Sequence, residues 1–558
     1  MTGFSIFNRI SFSHDSALVV FMYKFVIAGS LLALSGCNQE SVTQNRPRSA
    51  MSDSEKQAKS NALVRNALQL LTTEKTTLND PDFKRFQRVR SLLNQWLRQT
   101  GVANDIQLSD SSQEILNRSI HSDELKQHLP KLFANQFSPH DDAQHLNATM
   151  FFSDIAKHAQ AGHSDPLSQA KAIFDWVVRT VQLIPSENPD HISLVQYRSS
   201  NDLTLRMLAE DILILGRGTH IERAYLSVLL LRQLKIESCL IGSQNPENDR
   251  FDLRWLGILI NRDIFLFDPV LGLPVTNLQN RDLASLKQFS ETPDAFTSKW
   301  GPRQTEGTSI PSDSLDSLTI KLAFDPLYWA PRMKILEDKL TSMSGPIVLY
   351  EEIGSITDVN GNHQLSLPDR LIEAAGQRFS NLSIDLIDIP KMIESSVAPK
   401  SSRDSEVPLV LQPFSFGGGS LRNARLSQLR GQFMDAIKQY QELLQAITSA
   451  GDFRGSDAYF AQRAKEMSHY WTGVCIFEKG NYGVANDTWF QLHLTHFPDS
   501  PWTHAIWYFI GRCNESLSQK PSDPLQQERY RNIAIESYLK SSGPQKTGND
   551  LRADLLTP

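Results

Sequence analysis

The residues best placed to do chemistry gather in and after the stretch "LILGRGTHIERAYLSVLLLRQLKIESCLIG", Leu213 to Gly242. His220 opens a long apolar helical run, Glu222 follows two residues later, and Arg254 and Asp268 fall on the strand-like runs beyond it. An imidazole can serve as general base or nucleophile when a carboxylate behind it fixes its tautomer and steadies its charge. These residues serve that chemistry poorly. Side chains two apart on a helix do not face each other, so Glu222 cannot orient His220 locally. The positive end of the helix dipole favours the neutral imidazole over the cation that catalysis needs. No histidine occurs from 221 to 362, and Arg254 stays protonated, so it cannot be a base. The expectation is that His220 and Glu222 help to cap and pack the helix, with Arg223 or Arg254 pairing a carboxylate.

Two further sets carry reactive atoms. Cys239, Cys475 and Cys513 show no CxxC spacing; at most one pair could join, Cys475 with Cys513 in neighbouring helical segments being favoured, and buried free thiols are the expectation. His493 and His496 share a helix face but have no acidic partner at ligand spacing, so no metal and no cofactor is expected.

The elements that would position these groups are legible from periodicity. "DFKRFQRVRSLLNQWLRQTG" puts Phe86, Val89, Leu92, Leu93 and Leu97 on one helix face, with Gly101 as a stop. "DPLSQAKAIFDWVVRTVQLIP" starts a helix at Asp165-Pro166 with Ile173, Trp176, Val177 and Val181 inward. A helix from Ile221 to Leu234 leads into the strand-like "KIESCLIGS". "RWLGILINRDIFLFDPVLGLPV" reads as a hairpin turning at Asn261-Arg262-Asp263. "SLTIKLAFDPLYWAPRMKILEDKL" reads as strand, loop and helix, and "GPIVLYEEI" as another strand. Helix followed by short antiparallel strands implies an α+β core.

On these residues the chain resembles the transglutaminase-like superfamily, whose papain-like core opens a helix on G-x-C. Here the matching run is Gly218-Thr219-His220-Ile221-Glu222-Arg223-Ala224, followed by "LLLRQLKIESCLIG" and a hairpin ending in Asp268-Pro269. The resemblance covers roughly residues 165 to 275. It implies a Cys-His-Asp triad in which histidine stands at the nucleophile position 220, Arg254 is nearest the base position (expected around 252 to 256), and only Asp268 is retained. The resemblance thus implies a degenerate core, a pseudoenzyme.

The two ends add context. "MYKFVIAGSLLALSGCNQE" has a lysine, an apolar run and a Leu34-Ser35-Gly36-Cys37 sequence resembling a bacterial lipobox, which implies lipidation of Cys37. Residues 1–21 fit no signal region, so translation from Met22 is an alternative to Met1. Near the other end Ala436, Ala485 and Ala534 stand 49 apart, each followed by an aromatic: Tyr440, Phe490 and Tyr538. That order resembles a tetratricopeptide motif, though its period is longer than usual. The aromatics Tyr470, Trp471, Trp489, Phe490, Trp502, Trp507 and Tyr508 would be its packing core.

The expected organisation is a signal peptide (1–37), a flexible tether (38–62), a helical region (63–163), a transglutaminase-like domain (164–290), a mixed connecting region (291–400) and helical repeats (401–545). The order resembles that of transglutaminase-like lipoproteins from planctomycete-type bacteria. A net charge of −6 without a Lys/Arg block excludes a nucleic-acid surface. The expected function is protein or peptide binding, or assembly, by a lipid-anchored, periplasmic-facing protein of the bacterial envelope. The alternative is a peptidase or acyl-transferase with a rearranged site at His220 and Asp268.

Overall fold

The computed structural model describes residues 52–72, 82–101, 108–119, 134–138, 141–184, 197–198, 204–205, 209–244, 251–277, 282–292, 318–323, 325–357, 363–376, 384–387, 415–416, 419–451, 453–454, 456–520 and 523–557. The chain divides into two units, 1–56 and 57–558. The expected signal peptide, Cys37 and most of the expected tether lie outside the described residues. The chain is already helical at Asp53, so residues 53–62, expected as tether, belong to a helix. No described helix is long and apolar enough to cross a membrane.

The helices run in order α1 (Asp53–Thr72), α2 (Asp82–Thr100), α3 (Asp110–Ser119), α4 (Asp141–Ala159), α5 (Pro166–Thr180), α6 (Ala209–Leu215), α7 (His220–Gln233), α8 (Leu286–Glu291), α9 (Pro331–Ser344) and α10 (Leu367–Ala375). The C-terminal set is α11 (Leu421–Leu429), α12 (Phe433–Ser449), α13 (Ser456–Glu478), α14 (Tyr482–Val484), a π-helical turn (Ala485–Phe490), α15 (Gln491–His496), α16 (Thr503–Ser518), α17 (Pro524–Lys540) and α18 (Lys546–Leu556). Local chemistry accounts for the starts. Asp165 accepts the Leu167 and Ser168 amides at 3.2 and 2.9 Å, and Pro166 takes the first position of α5, where a missing N–H costs nothing. Gly101, at φ +69°, ends α2, and its inward face buries Phe86, Val89, Leu93, Trp96 and Leu97.

Strands β1 (Gln182–Leu183), β2 (Tyr197–Arg198), β3 (Thr204–Leu205) and β4 (Arg217–Gly218) form two small ladders. The main sheet is built from β5 (Ser238–Gln244), β6 (Phe251–Ile260), β7 (Asp263–Asp268), β8 (Leu273–Pro274), β9 (Leu318–Ala323) and, past a small hairpin of β10 (Ile356–Thr357) and β11 (His363–Gln364), β12 (Ile384–Ile387). Its order is β12-β9-β5-β6-β7-β8, parallel between β12 and β9 and antiparallel elsewhere. The sheet therefore does not stop at residue 290: two strands from the expected connecting region complete it. β6 and β7 turn at Asn261 and Arg262, both at positive φ (52° and 68°), the pair a two-residue type I′ hairpin needs.

The fold is mixed and helix-rich. Phe267 pairs with Leu256 and its ring meets Phe174 of α5 at 5.1 Å. Trp255, the next residue along and so on the opposite face, packs on Phe289 of α8 at 5.0 Å. The sheet is therefore covered on both sides. The run "GPIVLYEEI" is not a strand. Its backbone is satisfied by side chains instead of a ladder: Glu337 accepts the Leu349 and Tyr350 amides at 2.8 and 2.9 Å, and Gln233 bonds both the amide and the carbonyl of Val348.

After the short ladder of β13 (Ser415–Phe416) and β14 (Gly419–Ser420), three helical pairs follow: α11 with α12, α13 with the α14–α15 run, and α16 with α17. Ala436, Ala485 and Ala534 are all fully buried, each in the second member of a pair. A Cβ on Gly473 would stand 2.8 Å from Phe490, and one on Gly511 would stand 2.5 Å from Tyr538, so a glycine on the first helix admits an aromatic from the second. In the first pair Gln428 accepts the Tyr440 hydroxyl at 2.9 Å. Tyr470, Trp471, Phe490, Trp502 and Tyr508 are buried as expected of a core, while Trp489 and Trp507 are half-buried.

Candidate functional site

The start of α7 is capped by Thr219, whose hydroxyl accepts the Glu222 amide at 3.3 Å while Glu222 accepts the Thr219 amide at 2.7 Å. Glu222 is 1% exposed. Its carboxylate serves the helix end, as expected, but the N-cap is Thr219 and not His220. Gly218 is held close there: a Cβ would meet Glu222, Ile212 and Val181, each at 3.1 Å.

His220 is half-buried and makes no hydrogen bond, ion pair or ring contact with the described residues. Burial pulls its pKa down to about 4; Glu222 opposes this and Arg223 adds to it. At neutral pH it is an uncharged imidazole whose tautomer no described residue fixes.

Asp268 is committed elsewhere. Its Oδ1 accepts the amides of Val270 and Leu271 at 2.8 and 2.9 Å, closing the turn into β8. Burial pushes its pKa up to about 6, against the pull of those two amides. No hydrogen bond or ion pair joins it to His220 or Arg254.

Arg254 is the extra residue of a β-bulge. Ile241 faces Trp255 and Gly242 faces Leu253, so the register skips Arg254. Gly242 is required opposite the bulge, because a Cβ there would lie 2.1 Å from the Asp252 carbonyl oxygen. Burial lowers the Arg254 pKa, Asp252 opposes this, and Nε has no hydrogen-bond partner. His220, Arg254 and Asp268 are thus three separate local arrangements.

The residue that organises this region is Arg223, 1% exposed. Of the two arginines expected to pair a carboxylate, this one has none among the described residues, whereas Arg254 feels the charge of Asp252. Arg223 Nε and Nη2 donate to the Val181 carbonyl at 2.8 and 2.6 Å, Nη2 also to Val178 at 3.4 Å and to Gln545 Oε1 at 2.6 Å, and Nη1 to Pro269 at 3.3 Å. Val178 and Val181 are carbonyls at the C-terminal end of α5, so the guanidinium fills the negative end of that helix. Burial draws the Arg223 pKa down to about 9, which leaves a cation at pH 7. Arg425 of α11 does the same for α6, donating to Leu213 at 2.8 Å and Ile214 at 3.3 Å, and reaches Thr180 of α5 at 3.4 Å.

These contacts bind the C-terminal helices to the sheet-bearing core. Gln545, just before α18, meets Arg223, and Arg552 of α18 donates to the Gly272 carbonyl at 2.9 Å. Asp175 of α5 holds Arg512 of α16 through two bonds, at 2.6 and 3.0 Å, and also pairs Arg179, which bonds Glu478 at 2.9 Å. Burial works to raise the Asp175 pKa, but Arg512 and Arg179 outweigh it and hold the carboxyl well below its usual range. The cavity beside Arg223, walled by Gln182, Tyr470, Tyr508 and Gln545 among others, is about 20 Å³, too small for a peptide side chain.

The remaining candidates are placed as follows. Cys239, Cys475 and Cys513 are free and buried, and burial raises all three thiol pKa values, that of Cys239 to about 12. Inert thiols are the consequence. His493 and His496 lie in α15, and His469 of α13 joins them, its ring centroid 5.4 and 6.4 Å from theirs. Sequence spacing could not supply His469, which comes from the neighbouring helix. No group of metal-binding side chains is assembled among the described residues. No known protein family, curated protein or solved structure matches this chain.

Proposed function

We propose that this chain is a non-catalytic protein of transglutaminase-like descent, lipid-anchored at Cys37 in the bacterial envelope, whose tetratricopeptide-like helices bind or assemble protein partners. One observation carries the non-catalytic part. Each residue at a position where the triad would stand is spent on local structure or isolated: His220 has no hydrogen-bond partner among the described residues, Arg254 is a bulge residue, and Asp268 closes its own turn. A general base needs its acid or orienting group within hydrogen-bond reach, and that link is missing here. The binding part is supported by the fully buried Ala436, Ala485 and Ala534 and the glycine–aromatic contacts that repeat between helical pairs.

The alternative, a peptidase or acyl-transferase centred on His220 and Asp268, requires those two side chains to act together, and no hydrogen bond or ion pair among the described residues couples them. The test is direct. The purified full chain is assayed for cleavage of a mixed peptide library and for acyl transfer from glutamine peptides to a fluorescent amine, beside His220→Ala. Equal, background rates support the reading. Turnover that disappears in a folded His220→Ala variant overturns it.

A further inference from the structure

Helix α2 is basic in an acidic chain. It holds five cations, Lys84, Arg85, Arg88, Arg90 and Arg98, and one acid, Asp82, while the net charge of the whole is −6. The part of α1 from Gln57 on adds Lys59 and Arg65 and no acid. α2 turns Phe86, Val89, Leu93, Trp96 and Leu97 inward. At about 100° per residue, Lys84, Arg88 and Arg98 come out on the opposite face with Ser91 and Gln95, and all five are exposed.

This face has no counter-charge of its own. Lys84, Arg88, Arg90 and Arg98 make no ion pair or hydrogen bond with the described residues. Arg179, Arg332 and Arg512, by contrast, hold acids at 2.9, 2.7 and 2.6 Å. Lys84 and Arg88, one turn apart, repel each other along the helix, a cost that an anion outside the chain would return. Beside them an open groove of about 850 Å³ runs between α1 and α2. Asn66 and Gln87 bring neutral donors to it, and half-buried Leu70 and Leu92 bring apolar contact. Its described lining holds no acid and no aromatic ring.

We infer that the exposed face of α2 docks on a bilayer surface rich in anionic phospholipid, with headgroup phosphates against Lys84, Arg88 and Arg98. Charge complementarity names the partner: each cation near such a surface strengthens partition about fivefold, so three give on the order of a hundredfold. A nucleic acid would share the phosphates but find no ring in this groove on which to stack a base. The choice of a bilayer rests on the proposed anchor. Fifteen residues separate Cys37 from Asp53, a chain of at most about 55 Å. An acyl chain alone holds a protein weakly, and a basic patch is the second signal that makes such attachment stable.

The test is contact of α2 with lipid, read on the full chain carrying a fluorophore at Gln95→Cys and mixed with vesicles whose headgroups bear a quencher. Quenching should appear with vesicles of equal parts phosphatidylglycerol and phosphatidylcholine, stay absent with phosphatidylcholine alone, and vanish as salt rises toward about 0.5 M. Lys84→Glu with Arg88→Glu, exposed changes that keep the helical circular dichroism, should raise the lipid concentration for half-quenching about tenfold or more. No quenching by either vesicle, equal quenching by both, quenching that persists in high salt, or an unchanged response in the charge-reversed chain would each overturn the assignment. So would a short DNA duplex that strips the chain from the anionic vesicles at equal phosphate concentration. Failure of the anchor shows separately: Cys239, Cys475 and Cys513 are buried, so a parent chain that takes up the dye has a free Cys37, and the lipid contact is then read in Cys37→Ser.

Discussion

Replacing Arg223 with Met tests whether the guanidinium holds the region together. The change keeps the side-chain length and apolar stem but strands the Val181, Val178 and Pro269 carbonyls and Gln545 Oε1. The short bonds to Val181 and Gln545 dominate, at about 1.5–3 kcal/mol each for a charged donor. Against this, Met removes a buried cation that has no carboxylate partner, which returns part of the loss. The expected balance is a destabilisation of about 3 kcal/mol. Urea unfolding at pH 7, followed by the fluorescence of the nine tryptophans and by helical circular dichroism, reads it. Gln545→Ala alone should cost about 1 kcal/mol, and the double variant should cost less than the sum, because both remove the same bond. A Met variant within about 0.5 kcal/mol of the parent, or more stable than it, would refute the reasoning: the cost of burying the charge would then outweigh its bonds.

Three further outcomes follow from other sites. Gly511→Ala should destabilise by about 1–3 kcal/mol despite the better helix propensity of alanine, because its Cβ would lie 2.5 Å from the Tyr538 ring; thermal melts check this. His493 is fully buried with neither ring nitrogen bonded, and burial, with His469 and His496, lowers its pKa to about 3. The unfolded imidazole therefore takes a proton below pH 6.5 that the folded one refuses, so stability falls as pH drops from about 6.5 toward 3; His493→Phe should remove about 2 kcal/mol of that loss at pH 5 by urea titration. Asp268 has the opposite sign. Its pKa is raised from 3.8 to about 6, so the folded state holds a proton the unfolded state releases, and stability is lost as pH rises through that window. Asp268→Asn keeps an acceptor for the Val270 and Leu271 amides and should gain about 1–3 kcal/mol at pH 7 but not at pH 3; a loss at pH 7 would contradict this.

Local signals carried much of the fold and little of its joining. The α2 and α5 starts and faces, the long helix α7 and the β6–β7 hairpin all follow from periodicity and cap residues within a few positions. The 49-residue spacing of Ala436, Ala485 and Ala534 marks equivalent buried points, because a close helix contact admits only a small side chain. What was illegible is non-local. Pairing of β9 with β5 joins residues about 80 apart in sequence, and pairing of β12 with β9 joins residues about 64 apart. The apolar run "GPIVLYEEI" has strand composition, but Glu337 and Gln233 replaced the neighbouring strand. The bulge at Arg254 is a matter of register, which alternation alone cannot show. A buried arginine that binds carbonyls leaves no complementary acid in the sequence to point at, so sequence alone does not separate Arg223 from Arg254 as the ion-pairing residue. At the candidate site, the absence of a base histidine was plain from residue types, whereas the isolation of Asp268 required its turn geometry.

The most direct measurement is an NMR pH titration of the His220 ring in chain labelled at histidine, assigned through His220→Gln and repeated in Asp268→Asn. An isolated, desolvated imidazole should titrate near 4 in both. A His220 pKa at or above 6.5 that falls when Asp268 becomes Asn would show a coupled imidazole–carboxylate pair and contradict the non-catalytic account.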